Sequence, residues 1–341
     1  MMKIAIISKL WEATEPQSTG GTGVAIGNLV NGLVERGHQV TLFATGNSRT
    51  KAQDLVAVRK TPFTDDYSEI QEYDNIAGAF KRSESFDIIH AVVEHKSLFF
   101  SGISKIPTLH SIRYGEFFQQ EMDILKKYKD ENFVGISQAI KDKFSFLNWR
   151  GIVYNGLDLK EFPWQEKKQD YLLFLARLSP QKGPHLAIKA AKKLNKKLIL
   201  AGKVSASDQK YLDEEVWPYV DDEQIIYKGE LGFKDKIELL KQAKCLLHPI
   251  EKIFEAFGMS LIEAQACGVP VISYNNGSPL EVINHGKTGY VVNNFEEMLE
   301  AIKNINEIKS QDCRAWVEDN FSLSKMTKSY ENLYNKIINK S

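Results

Sequence analysis

The chain has 341 residues, of which 43% are hydrophobic and 26% are charged. That length predicts two domains of ordinary size, and the composition is typical of a globular protein. Lysine plus arginine and aspartate plus glutamate each number 44, so the formal net charge is zero. A balanced chain has no overall field that attracts nucleic acid or anionic lipid, which excludes binding driven by net charge.

The cysteines and the N-terminal sequence predict that the protein is located in the cytoplasm. Cys245, Cys267 and Cys313 are scattered, odd in number and without the spacing of metal ligands. We therefore expect reduced, buried thiols in the cytosol. The first apolar run is too short for a signal peptide, and no later stretch is long enough to span a bilayer. These features predict a cytoplasmic protein, and a peripheral contact of its lysine clusters with the inner face of a membrane stays open.

The N-terminal half begins with the pattern of a doubly wound α/β sheet. KIAIIS predicts a buried strand, a glycine-rich loop follows, and QVTLFAT predicts the second strand. Between the strands, apolar residues recur at helical spacing and stop at a glycine: Ile26, Leu29, Val30, Leu33 and Val34. A strand, a glycine-rich turn and a helix in that order indicate a Rossmann-like unit.

The glycine-rich loop has two interpretations. Gly21, Gly23 and Gly27 imitate a dinucleotide fingerprint, which would indicate an NAD-dependent oxidoreductase. Two features argue against it, since the loop before the glycines is long and the second strand runs into Thr45-Gly46, where an acid for the ribose is expected. The alternative is that Gly20 and Gly21 allow a close approach to the backbone, or form a purely structural turn.

Two histidines end later apolar runs of the same half. His90 lies in FDIIHAVV and His110 in IPTLHS, each where a strand delivers a side chain to the carboxyl edge of the sheet. A lone histidine at such a position is either a hydrogen-bonded structural residue or a member of a site. The residue pattern leaves both interpretations open for these two, and also for His95.

The C-terminal half restarts the same pattern after a linker. The polar, proline-containing segment EFPWQEKKQD places the domain boundary near residues 160–168. YLLFLARL, KLILAG and QIIYKG then predict strands of a second doubly wound unit. The C-terminal segment carries an amphipathic stripe, which predicts a packed helix: Leu323, Met326, Tyr330, Leu333, Tyr334 and Ile337.

The stretch EAFGMSLIE predicts a site for a sugar nucleotide. An apolar strand pattern, CLLHPI, precedes it, and the pattern turns helical from Gly258. Glu255 lies before this helix and Glu263 lies within it, about 12 Å apart at a rise of ~1.5 Å per residue. The amides of residues 257–259 lie between them at a helix N-terminus, which attracts anions. Carboxylates at both ends suit hydroxyl groups, and amides in the middle suit a diphosphate.

Three stretches in order resemble the donor site of the family-4 retaining glycosyltransferases, which have the GT-B fold: EAFGMSLIE, ACGVPVIS and GKTGYVV. In that family the first glutamate meets the hydroxyls of the donor sugar and the second meets the ribose, which implies these roles for Glu255 and Glu263. ARLSPQKG resembles the element that grips the donor diphosphate, and it carries Arg177 and Lys182. The donor-binding residues that the resemblance implies are Gly20, Gly21, Arg177, Lys182, Phe257, Gly258, Met259, Ser260 and Glu263.

The resemblance also implies catalytic and acceptor-binding residues. His110 matches the active-site histidine that follows a strand in the family, where it forms hydrogen bonds with the donor sugar. Arg113 and Tyr114, in the loop after this histidine, are candidates for the acceptor pocket. The implied catalytic set is His110, Arg177, Lys182 and Glu255.

The implied architecture is two Rossmann-like domains that face each other across a cleft. Residues 1–162 would bind the acceptor, 163–320 the nucleotide-sugar donor, and 321–341 would form a helix that packs back on the N-terminal domain. The implied reaction moves a hexose-type sugar from a nucleoside diphosphate to a hydroxyl acceptor (a glycan, a lipid-linked or a small molecule), with retention of the anomeric configuration.

The sequence also bears on metals, cofactors and alternative functions. No D-x-D triplet is present, so we expect neither a metal nor a cofactor besides the sugar nucleotide, and no nucleic-acid partner. Three alternatives remain: a catalytically inactive nucleotide-sugar-binding protein, an NAD-dependent oxidoreductase, and a non-hydrolytic epimerase on the same fold.

Overall fold

The computed structural model describes residues 1–18, 20–64 and 66–339. The chain forms two compact units: the first unit is Met1–Leu157 together with the chain from Ser322 onward, and the second unit is Asp158–Phe321. Lys340 and Ser341, the last residues of the predicted C-terminal segment, lie outside the described residues.

A seven-stranded parallel sheet lies at the centre of the first unit, in the order β3-β2-β1-β4-β5-β6-β7. Its strands are β1 (Lys3–Ile7), β2 (Gln39–Phe43), β3 (Asp54–Val56), β4 (Ile88–Ala91), β5 (Thr108–Ile112), β6 (Asn132–Gly135) and β7 (Trp149–Ile152). The helices between the strands are α1 (Gly21–Glu35), α2 (Glu69–Lys81), α3 (Leu98–Ser101), α4 (Gln119–Lys127) and α5 (Gln138–Lys143). The strand order reverses between β1 and β4, and ligands of doubly wound sheets bind at the carboxyl side of such a reversal.

The second unit repeats this design around a six-stranded parallel sheet, in the order β10-β9-β8-β11-β12-β13. Its strands are β8 (Tyr171–Leu175), β9 (Lys197–Ala201), β10 (Ile225–Tyr227), β11 (Cys245–His248), β12 (Val271–Tyr274) and β13 (Gly289–Val292). Its helices are α6 (Pro184–Lys193), α7 (Gln209–Glu215), α8 (Phe233–Gln242), α9 (Met259–Ala266), α10 (Pro279–Val282), α11 (Phe295–Lys303) and α12 (Ser310–Asn320). Here the order reverses between β8 and β11. The predicted pair of doubly wound parallel sheets is therefore confirmed.

The central strands are nearly continuous apolar runs because helices cover both faces of each sheet. In β1 the residues from Ile4 to Ile7 are all fully buried. The three cysteines are unpaired and buried, and burial raises the thiol pKa of each to about 12, so none is a thiolate at neutral pH. No helix among the described residues is both long and apolar enough to cross a bilayer.

The C-terminal helix, α13 (Leu323–Ile338), belongs to the first unit and packs on α1. Its amphipathic stripe lies in the same apolar core as α1 and the adjoining strands, with Met326, Tyr330, Leu333, Tyr334 and Ile337 buried. The hydroxyl of Tyr334 also lies 2.8 Å from Nδ1 of His90 on β4. The apolar face of this helix is therefore covered within the first unit itself.

Gly32 and Gly78 both lie inside helices, but only Gly32 lies against α13. Comparing alanine substitutions at the two positions therefore tests the contact between α1 and α13. A Cβ added to Gly32 of α1 would lie 2.2 Å from Oγ1 of Thr327 and 3.0 Å from Cδ1 of Leu323, both on α13. A Cβ added to Gly78 of α2 would meet its nearest neighbour at an ordinary 3.9 Å. Alanine in place of glycine favours a helix by about 1 kcal/mol, whereas overpacking costs about 1–3 kcal/mol.

We therefore predict that Gly78→Ala raises the free energy of unfolding. The free energy of unfolding of Gly32→Ala should be lower than that of Gly78→Ala by about 1–3 kcal/mol. Urea denaturation followed by far-UV circular dichroism measures both variants under the same conditions. Equal stabilities of the two variants would contradict a close contact between α1 and α13.

Candidate active site

Three polar side chains of the second unit gather where the strand order reverses. Lys182 follows β8, His248 is the last residue of β11, and Glu255 lies in the loop that β11 enters. Both strands are parallel neighbours, so their carboxyl ends deliver these side chains to the same edge of the sheet.

The Glu255 carboxylate is the centre of this group. Its Oε2 atom lies 3.2 Å from Nζ of Lys182 and 3.1 Å from Nε2 of His248, and its side chain is only 13% exposed. Burial alone would raise the pKa of the Glu255 carboxyl, but the charge of Lys182 and the hydrogen bond from His248 outweigh it and lower the pKa to about 2. The carboxylate is therefore ionised throughout the physiological range.

The backbone of Glu255 is held by the turn that follows β12. The Glu255 amide donates to the carbonyl of Asn276 at 3.0 Å, and the Ser278 amide donates to the carbonyl of Glu255 at 2.9 Å. Gly277, between these two partners, has a φ of +100°, and a Cβ there would lie 2.3 Å from the Glu255 carbonyl oxygen. Only glycine allows both the conformation and the approach, so the NNGS turn fixes the position of the carboxylate.

A second glycine brings Lys182 to the same place. Gly183 has a φ of +73°, and a Cβ there would lie 2.4 Å from the carbonyl oxygen of Pro249. The N-terminus of α6 therefore contacts the loop after β11 at the residue that directly follows Lys182. The ion pair between Lys182 and Glu255 depends on this contact, although 73 positions separate the two residues in the chain.

Glu263 lies on α9, which begins at Met259 with Gly258 as its N-cap and without a side-chain cap. Glu263 is 4% exposed, and its Oε1 atom accepts a hydrogen bond at 2.8 Å from Nζ of Lys236 on α8. The ring of Phe257 is buried against that of Phe321, which fixes the chain just before the helix. The chain that leads into this helix is thus anchored by packing, and the Glu263 carboxylate is already paired with Lys236.

Arg177 and Ser260 stand apart from these contacts. Arg177 is exposed in the loop after β8 and forms no hydrogen bond or ion pair with residues that the structure describes. Ser260 lies half-buried in the first turn of α9. The structure therefore brings Lys182 to Glu255, but it does not bring Arg177 to either of them.

The predicted glycine-rich loop lies in the first unit, at the N-terminus of α1. Gly20 is the N-cap and Gly21 is the first helical residue. A Cβ on Gly20 would lie 1.6 Å from Oε2 of Glu12, so the close approach that glycine permits here is made by a carboxylate of the same unit. Burial raises the pKa of the Glu12 carboxyl. The hydrogen bond from the Gly23 amide and the charges of Lys9 and Arg113 lower it, but the effect of burial is larger.

Both histidines on the central strands of the first unit, His90 and His110, are fully buried. His110 on β5 lies 2.8 Å by its Nδ1 from Oγ of Ser97, and its Nε2 has no hydrogen-bond partner among the described residues. His90 is paired at both nitrogens, with Tyr334 and with Ser111 Oγ at 2.7 Å. Burial lowers the pKa of each histidine to about 3, so both are neutral at pH 7. His90 is satisfied by the core, whereas His110 keeps one nitrogen for another partner.

The residues proposed for the acceptor differ in environment. Arg113 is 8% exposed, and its Nη2 donates to Oδ1 of Asn155 at 2.6 Å, while its Nε has no hydrogen-bond partner in the described part of the chain. Tyr114 is half-exposed and lines a pocket of about 460 Å³ in the first unit, as does His95. Arg113 therefore supports the loop from within, and Tyr114 faces the pocket.

Sequence reasoning missed three residues that the structure places in these contacts. His248 ends the apolar run CLLHPI, which is the same signal that singled out His90 and His110. Lys236 and Glu12 carry no signal of their own, because each becomes significant only through a partner that the fold brings to it, Glu263 and Gly20 respectively.

The two halves of the chain match two family profiles. Residues 158–321 match the family described as glycosyl transferases group 1. Residues 19–161 match glycosyltransferase family 4. Together the two profiles account for almost the whole length of the chain.

Individual relatives agree with these profiles. An uncharacterised glycosyltransferase of Methanocaldococcus jannaschii is 25% identical, over 84% of this chain and 84% of its own length. The solved structure of sucrose-phosphate synthase from Thermosynechococcus elongatus superposes with a TM-score of 0.83 at 16% identity, over the full length of both chains. HepE from Anabaena, solved in complex with UDP-glucose, superposes with a TM-score of 0.76 at 16% identity, over 98% of this chain and 100% of its own. These likenesses confirm the predicted fold class.

The lowered pKa of Glu255 predicts how stability changes with pH. Its folded pKa of about 2 lies below its ordinary value of 4.5, so the ionised carboxylate stabilises the fold above pH 4.5. That contribution is lost as the pH falls from 4.5 towards 2. The stability difference between the unsubstituted protein and Glu255→Gln should therefore shrink by about 3 kcal/mol over this interval.

Urea unfolding at a series of pH values measures this difference. Glu238→Gln, which alters an exposed carboxylate on α8, is the control for general charge effects. A difference for Glu255→Gln that stays constant between pH 5 and pH 2 would show that the ion pair does not lower the pKa of Glu255.

Proposed function

Because the chain belongs to the glycosyltransferases of group 1 and family 4, which have the GT-B fold, we propose that it transfers a hexose-type sugar from a nucleoside diphosphate to a hydroxyl group, with retention of the anomeric configuration. The observation that supports this most is the contact of Lys182 and His248 with the ionised Glu255 carboxylate. This group lies at the strand reversal of the second unit, where doubly wound sheets bind ligands.

The donor sugar interacts with Glu255 in this proposal. An ionised carboxylate accepts hydrogen bonds from two hydroxyl groups at once, and the NNGS turn fixes the carboxylate before the donor arrives. A preorganised acceptor of this kind loses little entropy when the donor binds. Glu255 therefore orients the sugar ring and does not act as an acid, since it holds no proton near neutral pH.

The diphosphate interacts with Lys182, Arg177 and the N-terminus of α9. The bond between the anomeric carbon and the phosphate oxygen breaks, and negative charge grows on the departing oxygen. The ammonium of Lys182 and the uncapped first turn of α9 stabilise that charge without a metal ion. Arg177, which is exposed and unpaired in the described part of the chain, completes the diphosphate site when the donor binds.

The acceptor oxygen forms the new bond on the face from which the diphosphate departs. Its proton passes to the departing phosphate oxygen, so that the products are the glycoside and the nucleoside diphosphate. His110 contributes as a neutral imidazole that forms a hydrogen bond with the sugar, because its pKa of about 3 excludes an imidazolium at pH 7.

A transfer assay tests the function directly. UDP-, GDP- and ADP-hexoses are incubated with a panel of hydroxyl acceptors, and NMR spectroscopy records nucleoside diphosphate release and the anomeric configuration of the product. UDP-glucose is the first donor to test, since the structure of HepE contains it. Donor binding without release of nucleoside diphosphate across the panel would instead indicate a catalytically inactive binding protein.

Lys182→Ala should reduce turnover by about 10²–10³-fold and change donor affinity by much less, because the ammonium acts mainly on charge that develops in the transition state. Steady-state kinetics and calorimetric titration of the donor separate these two effects. Lys192→Ala, an exposed lysine on α6, is the matched control. A large loss of donor affinity with unchanged turnover would contradict a role on the leaving group.

Glu263→Ala should weaken the binding of the free nucleoside diphosphate by about 10- to 100-fold, because it removes a charged hydrogen-bond acceptor for the ribose hydroxyls. Isothermal titration calorimetry measures the affinity. Since the substitution also leaves Lys236 without its carboxylate, Lys236→Met combined with Glu263→Gln gives a neutral pair that tests the same point. Unchanged affinity in both variants would exclude Glu263 from the ribose site.

A further inference from the structure

A pocket of about 460 Å³ lies in the first unit, where the strand order reverses between β1 and β4. The segments that follow β1, β4 and β5 supply most of its lining: Lys9, Trp11, residues 93–96, Tyr114, residues 116–118 and Glu121. Its volume lies within the range of small-molecule sites, and its position is the one at which doubly wound sheets bind ligands. Neither the donor residues nor His110 lines it.

The charges of this pocket are mainly negative. Four glutamates and two lysines line it, for a formal balance of −2 (4 carboxylates less 2 ammoniums): Glu72, Glu94, Glu116, Glu121, Lys9 and Lys96. Both ammoniums are already paired, because Lys9 lies 2.8 Å from Glu94 and Lys96 contacts Glu72. Burial lowers the pKa of His95, against the charge of Glu121, so this histidine adds no positive charge at pH 7. An anionic ligand would therefore meet carboxylates and no free cation of the lining.

One of these carboxylates is buried but incompletely hydrogen-bonded. Glu94 is 8% exposed and lines the pocket, yet its Oε1 atom accepts no hydrogen bond from the described residues. Lys9 lies close enough for an ion pair with this oxygen, but not in the direction of a hydrogen bond. A carboxylate oxygen has two lone pairs, so Glu94 Oε1 can accept a hydrogen bond from a ligand hydroxyl or ammonium group in the pocket in addition to its ion pair with Lys9.

The wall of the pocket also holds a fixed aromatic surface. The ring of Trp11 stacks on Tyr67 with centroids 4.9 Å apart and planes at 20°, and meets Phe63 edge-on at 5.5 Å. It nevertheless remains 48% exposed. Its neighbours thus hold the indole in place while part of it stays uncovered. The electron-rich face of such a ring packs well against the polarised C–H bonds of a pyranose.

We propose that this pocket binds the acceptor, and that the acceptor is a saccharide without phosphate or carboxylate groups, either neutral or carrying an amino group. The inference rests on the proposed function, because it names the substrate class of the same reaction. Trp11 covers one face of the sugar ring, and Glu94 accepts a hydrogen bond from one of its polar groups. The formal charge of −2 in the lining excludes anionic sugars, since like charges repel each other at short range.

A binding panel tests the charge preference. Methyl glycosides of glucose, galactose and mannose are compared with the corresponding amino sugars, hexuronates and hexose 6-phosphates, by saturation-transfer NMR and calorimetry in the presence of UDP. We expect neutral or amino sugars to bind at least about tenfold more tightly than their anionic counterparts, a difference equivalent to about 1.4 kcal/mol. Glu94→Gln should weaken neutral glycosides, whereas Glu84→Gln, on the exposed 3₁₀ turn after α2, should not.

A second variant locates the binding to the pocket. Trp11→Ala should weaken glycoside binding by about tenfold or more, as expected for the loss of a stacking surface, and should leave UDP binding unchanged. Trp164→Ala, a comparably exposed tryptophan of the second unit, is the matched control. Thermal melting of each variant shows whether it is folded. If Trp11→Ala does not fold, Trp11→Phe replaces it in the test, because it keeps an aromatic ring.

The outcomes separate this inference from the proposed function. Equal or tighter binding of uronates or phosphates would overturn the inference, as would glycoside binding that ignores Trp11 and Glu94. Failure of every neutral and amino glycoside to bind while UDP binds would also overturn it, and would leave the donor site standing. Glycoside binding without binding of any nucleoside diphosphate would have the opposite meaning, since the pocket would be supported and the transferase proposal would fail.

Discussion

The contact between Lys182 and Glu255 is the interaction on which the candidate site of the second unit depends. Neither side chain would be in place without a glycine that tolerates close contact: Gly183 against the carbonyl of Pro249, and Gly277 against the carbonyl of Glu255. The resulting ion pair keeps a buried carboxylate ionised, which burial alone would oppose. A charged group that is buried, paired and fixed by the backbone is a costly arrangement for stability and a useful one for binding a polar substrate.

The two units place their polar groups by the same physical rule. In a doubly wound sheet the helices on either side of the strand reversal diverge, which leaves space at the carboxyl edge. In the second unit that space holds Lys182, His248 and Glu255, and in the first unit it holds the pocket beside Trp11 and Glu94. The contents of the two spaces differ in kind. The ammonium of Lys182 and the helix amides suit a diphosphate, whereas carboxylates and an indole suit an uncharged sugar.

The sequence predicted the fold, and the places of Glu255 before α9 and Glu263 within it, for a reason that lies in local patterns. Strands buried on both faces are continuous apolar runs, and the helix after Gly258 has a clear start and a clear end, so each could be recognised within a few residues. Strand β3 could not, because three residues at the edge of the sheet, exposed or half-buried, show no apolar period. Side-chain contacts that form only in the folded chain could not be predicted from the sequence either. The pairing of Lys236 with Glu263 and the packing of Glu12 on Gly20 need the folded chain before they can be seen.

The position of the bound donor distinguishes the proposed site from any other, and one crystal structure would determine it. The protein would be crystallised with whichever of UDP, GDP or ADP raises its melting temperature most, together with the corresponding sugar nucleotide. We predict that the diphosphate lies within hydrogen-bond distance of Lys182 and the first turn of α9, with the sugar hydroxyls on Glu255. A sugar nucleotide bound elsewhere, with Lys182 and Glu255 still paired and unoccupied, would contradict the assignment.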